Sequence, residues 1–170
     1  ETLPLAFATG WASGISAYLV VLVTGLVGRL GWADTPEALQ RTDVLVVAAA
    51  LSAVELVVDK IAYLDSAWDA IHTVVRPLIA AVLGALIAAD ADTTSEPLAA
   101  VGTAPVAFVS HLTKSGLRLA VNTSPEPVTN VGVSSAEDVT VLGVAALAWE
   151  YPWAAAAIAL VLLVLGVGAV

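Results

Sequence analysis

The stretch "ELVVDKIAYLDSAWDAIHTVVRP", residues 55–77, decides how this chain is read. It sets Glu55, Asp59, Lys60, Asp65, Asp69, His72 and Arg76 between two strongly apolar segments. Outward from it, the 170 residues are 59% hydrophobic and 12% charged, with a mean hydropathy of +0.94. Those values lie well outside the range of a soluble domain of this length. An integral membrane protein is expected, and at about 20 apolar residues per span the length admits roughly five to seven passes in one domain, residues 1–170.

Composition removes several classes of function. There is no Cys, which excludes disulfides, thiolate metal sites and cysteine nucleophiles. Fifteen acids against six bases give a net charge of −9, which disfavours nucleic acid as a partner. The lipid bilayer is the expected partner, and a multi-pass place in the cell membrane the expected location. The first apolar segment, residues 3–30, lacks a basic leader and is too long for a signal-peptide core, so it reads as structure. The chain contains no Met and closes on an apolar run, so its ends read as trimmed.

Six segments emerge. The first, residues 3–30, is interrupted by Gly10, Ser13, Gly14 and Ser16, which marks its first third as re-entrant or kinked. Its GxxxG at Gly10 and Gly14 suits close helix packing, and its small-residue faces favour a homo-oligomer. The second runs over 43–62, the third over 67–89 after a turn at 64–66, and the fourth over 98–121. A polar loop, "NTSPEPVTNVGVSSAE", is expected before a fifth segment at 138–150, and Pro152 opens the sixth. The tryptophans near segment ends, Trp11, Trp32, Trp68, Trp149 and Trp153, read as interface anchors.

An internal echo suggests duplication. "DVLVVAAALSAVE" (43–55) and "DVTVLGVAALAWE" (138–150) agree at six of thirteen positions, both opening on Asp and closing on Glu. With three segments per copy the second enters from the opposite face, so halves 1–90 and 96–170 form inverted repeats, as in many secondary transporters. The expected fold class is therefore all-α, a polytopic transmembrane bundle of about six segments.

The charges form helical stripes. Glu55 and Asp59, Asp65 and Asp69, Asp69 and His72, and His72 and Arg76 each share a face. Counting about 1.5 Å per residue from the turn puts Arg76 roughly 16 Å in, at the depth Glu55 reaches from its own helix end, so the two are expected to pair. In "HLTKSGLRLAVN", His111, Lys114, Arg118 and Asn122 make a second stripe that faces the acidic one at matching depth. A charge at mid-bilayer costs at least about 2.5 to 3.5 kcal/mol, so such groups face a partner or a water-filled cavity. Glu126, in the polar loop, and Glu150, the repeat mate of Glu55 where a short fifth segment is expected to break at the midplane before Pro152, complete the candidate ligand or ion pathway.

These residues, in this order, resemble a bacterial multipass membrane family catalogued as domain of unknown function family 4126. The resemblance rests on "GWASGISAYL", the 55–77 stretch, "SHLTKSGLRLAVNTSPEPVTN" and "SSAEDV", and it covers nearly the whole chain. It implies an integral membrane protein and brings no activity or catalytic residue with it. Ala62 departs from the family's pattern, where proline is expected, which touches only local turn geometry.

Three functions fit the stripes. The first is a transporter or channel for an ion or small charged solute, such as an anionic one held by Lys114 and Arg118. The second is a lipid-phosphate-processing enzyme in which Glu55, Asp59 and Asp69 hold a divalent cation, since hard cations prefer oxygen ligands. The third is a structural or assembly subunit whose charges simply pair. A non-enzymatic role without a resident cofactor is favoured.

Overall fold

The computed structural model describes residues 1–91, 96–123 and 127–170, with side chains described outside 90–100 and 124–127. Their regular structure is helical: α1 (Thr2–Arg29), α2 (Thr42–Val58), α3 (Ala62–Ala91), α4 (Glu96–Asn122), α5 (Pro127–Glu150) and α6 (Pro152–Ala169), with a 3-10 turn at Glu37–Gln40. Four stretches are long and apolar enough to cross a bilayer: Thr2–Arg29, Ala62–Ala89, Val128–Glu150 and Pro152–Ala169. Large apolar side chains cover the outside, among them Val46, Ile71, Val74, Leu78, Val82 and Leu165, while acids and bases lie inside. That inversion of the soluble pattern is what a lipid solvent selects.

The path of α1 organises everything else. Ser16 adopts φ −149° and ψ 91° in the middle of the helix, which divides it into two arms. The flanking Gly10, Ser13 and Gly14 are poor helix formers, so the break falls where helix propensity is lowest. Both arms lead to the same end of the bundle. Glu1 and Leu5 line a cleft with Asp34, Ile87, Trp149 and Pro152, Ala6 packs against Ala88, and on the other arm Thr24 accepts a hydrogen bond from Trp149 Nε1 at 3.2 Å. The remaining helices define the opposite end, where Asn122 of α4 donates to the Ala62 carbonyl and Arg118 to the Asn130 carbonyl. Helix α1 is thus a re-entrant hairpin, each arm about 20 Å long and too short to cross. Helices α2 to α6 run end to end around it.

The hairpin is held by small residues. A Cβ on Gly10 would lie 2.9 Å from the Thr103 carbonyl oxygen, and one on Gly14 would meet the Ala107 carbonyl and lie 2.7 Å from Ser110 Cβ. The GxxxG face is therefore occupied by α4 of the same chain, the close helix packing that its small residues suit. The returning arm closes with a Schellman turn: Gly31 (φ +70°) donates to Gly28 O at 2.9 Å, and Trp32 to Val27 O at 3.0 Å.

Several expected boundaries move. The turn between the second and third segments is at Asp59–Ile61, not 64–66, so α3 begins at Ala62. Ala62 is its first residue, a position that tolerates proline. Helix α5 begins at Pro127, eleven residues before the expected start, because Asn130, Ser134 and Glu137 form an inward polar face rather than a loop. Proline at the first helical position supplies the start. Trp11 is buried and not an interface anchor, whereas Trp32 and Trp153 are largely exposed. The two halves also differ in path, since α1 doubles back while its repeat mate α4 runs unbroken, and this lends no support to inverted copies.

Candidate functional site

The tip of the hairpin ends inside a buried ionic network. Breaking α1 at Ser16 releases the carbonyls of Gly14 and Ile15 to donors on neighbouring helices, and the Trp11 carbonyl one turn earlier takes a further one. Trp11 O accepts from Ser110 Oγ at 2.8 Å, Gly14 O from Arg76 Nη1 at 3.4 Å, and Ile15 O from Lys114 Nζ at 3.1 Å. The Ser16 hydroxyl in turn donates to Glu55 Oε2. Carbonyls thus face cations and a hydroxyl faces a carboxylate, in line with the partial charges at a helix C-terminus.

Arg76 is the centre. It is fully buried, with Nη2 2.8 Å from Glu55 Oε1 and Nη1 3.0 Å from Asp69 Oδ1. Nη1 also donates to His111 Nδ1 at 2.6 Å, and His111 Nε2 donates to the Asp69 carbonyl at 3.1 Å. His111 is then a neutral imidazole that orients the guanidinium. His72 is placed likewise: Nδ1 donates to Trp68 O at 2.7 Å, Nε2 accepts from Tyr18 Oη at 2.9 Å, and the ring stacks on Trp68.

Two further pairs lie toward the α2–α3 turn. Lys114 Nζ is 2.7 Å from Asp59 Oδ2 and 3.9 Å from Glu137 Oε2. Arg118 Nε is 3.1 Å from Asp65 Oδ2, while its other donors reach the Asp59 and Asn130 carbonyls. Asn122 Nδ2 donates to the same Asp65 oxygen at 2.7 Å, and Ser115 Oγ to Asp69 Oδ2 at 3.0 Å. At the rim Lys60 Nζ is 3.6 Å from Asp138 Oδ2.

The network is not balanced. Counting the rim pair, six acids (Glu55, Asp59, Asp65, Asp69, Glu137, Asp138) meet four bases (Lys60, Arg76, Lys114, Arg118) among the described residues. Among the buried side-chain atoms without a hydrogen-bond partner are the carboxylate oxygens Asp59 Oδ1, Asp65 Oδ1 and Glu137 Oε2 and the amide oxygens of Asn122 and Asn130, alongside the donors Arg76 Nε and Trp68 Nε1. Buried acceptors left open in hydrocarbon are costly, so the interior is suited to receive protons or a cation. One cavity of about 250 Å³ reaches Asp65, Asp69 and Asn122 between α3 and α4, and another of about 310 Å³ reaches Lys114 and Glu137 between α1, α4, α5 and α6.

The family model described as Domain of unknown function (DUF4126) matches residues 3–170. The chain belongs to this family. No curated protein and no solved structure matched it.

In this DUF4126 chain the expected stripes do converge in the interior, as two bonded clusters: Glu55, Asp69, Arg76 and His111 in one, and Asp59, Asp65, Lys114, Arg118 and Asn122 in the other, while His72 bonds to Tyr18 and the Trp68 carbonyl instead. The pairing of Glu55 with Arg76 is as the depth count anticipated. Glu150 stands apart. It lies at the exposed end of α5, where its hydrogen bond raises the pKa of the Tyr151 phenol, because α5 is a full 24-residue helix rather than one broken at mid-membrane. Glu126 lies outside the described residues. As metal ligands, Glu55, Asp59 and Asp69 are each committed to a base, and no three His, Asp or Glu side chains among the described residues gather as a metal site. Sequence reasoning missed Ser16, Tyr18, Ser115, Asn130 and Glu137. The sequence marks Ser16 as an interruption without giving it a partner, and the spacing of Asn130, Ser134 and Glu137 carries a helical signal hidden inside an apparent loop.

Proposed function

We infer that this DUF4126 protein is an integral membrane carrier for an ion or small charged solute, with the charged interior at the α1 tip as its site. The observation that carries the reading is the break at Ser16, which brings backbone carbonyls and a hydroxyl onto buried charges. Broken or re-entrant backbone at membrane depth is tolerated where it is buried in protein or lines a cavity, and transporter sites use it to bind ions. The acid excess and the unpaired oxygens favour a cation or proton as the moving species. The reading needs neither an internal repeat nor an oligomer.

One observation favours a purely structural role: Arg76, Lys114 and Arg118 each have a carboxylate within 3.1 Å, as helix-locking pairs would. Flux separates the two. Reconstituted protein is expected to carry a cation- or proton-dependent flux that Glu55→Gln reduces to the level of empty liposomes while the variant elutes as a folded species. Undiminished flux in that variant removes Glu55 from the pathway, and a folded wild type without flux for any cation or proton gradient leaves the structural role.

A further inference from the structure

Glu137 is the acid that the ion pairs leave over. Arg76 holds both Glu55 and Asp69, Arg118 holds Asp65, and Lys60 stands 3.6 Å from Asp138. Lys114 is committed to Asp59 at 2.7 Å and to the Ile15 carbonyl at 3.1 Å. Glu137 Oε2 lies 3.9 Å from the same ammonium, beyond hydrogen-bond reach, and has no donor. The side chain is 17% exposed and lines the 310 Å³ cavity between α1, α4, α5 and α6.

Three hydroxyls line the same cavity, and their protons are already spent on backbone. Ser110 Oγ donates to Trp11 O at 2.8 Å, Thr113 Oγ1 to Val109 O at 2.9 Å and Thr140 Oγ1 to Ala136 O at 2.7 Å. Their oxygens remain as acceptors. A water entering this space finds acceptors for both of its protons and an acid without a partner. Leu117, Val133, Leu162 and Leu163 supply apolar walls around these groups.

We propose, resting on the transport reading, that Glu137 is the carboxyl through which the interior takes up and releases a proton. Hydronium in the cavity gives its proton to the Glu137 carboxylate and is left as water, and release runs the step backwards. The acid form is neutral and leaves Lys114 to Asp59. The carboxylate form sets a second anion beside the ammonium that holds the hairpin tip through the Ile15 carbonyl. Charged neighbours face Glu137 from α4 (Lys114 and Arg118), α2 (Asp59) and α3 (Asp65), and Asp138, with Lys60 beside it, follows on α5 itself. Helix α6 carries no charged residue and α1 only Arg29, at its far end. A metal cation is the poorer fit, because hard cations take several oxygen ligands and no three His, Asp or Glu side chains gather as a metal site among the described residues.

The test is modification by dicyclohexylcarbodiimide, an apolar reagent that reacts with the acid form of a carboxyl. The O–H adds across one C=N bond, the acyl group then moves from oxygen to nitrogen, and the stable N-acylurea keeps every atom of both reactants. The full chain in lipid vesicles is treated, and the label is located by peptide mass spectrometry. Glu137 is expected to be labelled at a rate that rises as the pH falls, while Glu55, Asp59, Asp65 and Asp69 stay unmodified in their ion pairs. Flux is expected to be lost as the label accumulates. Glu137→Gln is expected to lose both label and flux, and Glu137→Asp to keep a label and regain part of the flux, which separates loss of the carboxyl from loss of the fold. Label missing from Glu137, label spread evenly over the ion-paired acids, or undiminished flux in Glu137→Gln overturns the assignment. Protection of Glu137 by NaCl or KCl but not by choline chloride also overturns it, since the bound species is then a metal cation. Label confined to Glu137 in vesicles without flux keeps the proton site and retires the transport reading. Flux without label at Glu137 does the reverse.

Discussion

Arg76→Met is expected to cost about 3–5 kcal/mol and to leave the protein aggregated in mild detergent, because it strands two buried carboxylates without the cation that pairs them. Glu55 is 2% exposed and Asp69 5%, and Arg76 is the cationic side chain within salt-bridge distance of both. Its loss also removes the donor to His111 Nδ1 and to the Gly14 carbonyl. The triple variant Glu55→Gln, Asp69→Asn, Arg76→Met removes the stranded charges together, and it is expected to recover much of the thermal stability while remaining inactive in flux. Thermal melting followed by size-exclusion chromatography reads the comparison. A single Arg76→Met variant as stable as wild type contradicts the central place given to this guanidinium.

Gly14→Val carries the second large effect. A Cβ at that position meets the Ala107 carbonyl oxygen and Ser110 Cβ, and backbone of a packed helix does not yield as a flexible side chain does. Overpacking of this kind typically costs about 1–3 kcal/mol and more where backbone must move. The hairpin would be pushed off α4, and the contacts of the Trp11, Gly14 and Ile15 carbonyls with Ser110, Arg76 and Lys114 would be lost together. Flux is therefore expected to fall even in molecules that stay folded. Gly132→Ala and Gly143→Ala on α5 are the controls: a Cβ there meets nothing within 4 Å, so both should match or slightly exceed wild-type stability.

Hydropathy made the helical membrane architecture legible, and the i, i+4 spacing of charges made the site legible, because a charge at membrane depth has few places to go. Residues such as Asp65, Lys114 and Arg118 could thus be assigned to one interior before any coordinates. Polar loops were harder. A membrane helix that turns an inward face of Asn130, Ser134 and Glu137 to Arg118, Lys60 and Lys114 looks like a loop to any reading that expects spans to be apolar throughout. That same expectation shortened α5 and moved Glu150 from the surface to the midplane. The hairpin itself was half visible: Gly10, Ser13, Gly14 and Ser16 announced an interruption, but reversal of the chain depends on donors from α3 and α4 that are distant in sequence. The similarity of residues 43–55 and 138–150 rests on an Asp and a Glu anchor, and its other four matches are Val and Ala, which coincide readily in any apolar helix.

The account stands on α1 entering and leaving at one face of the membrane. Because the chain contains no cysteine, single reporters can be added at exposed positions on both sides of the hairpin and at the far end of the bundle. Glu1→Cys, Asp34→Cys and Tyr63→Cys, each treated with a membrane-impermeant maleimide in sealed, oriented vesicles, read the path directly. The re-entrant hairpin requires the first two to label from the same side and the third from the other. Labelling of Glu1→Cys and Asp34→Cys from opposite sides would make α1 an ordinary crossing and would take the broken-helix site away with it.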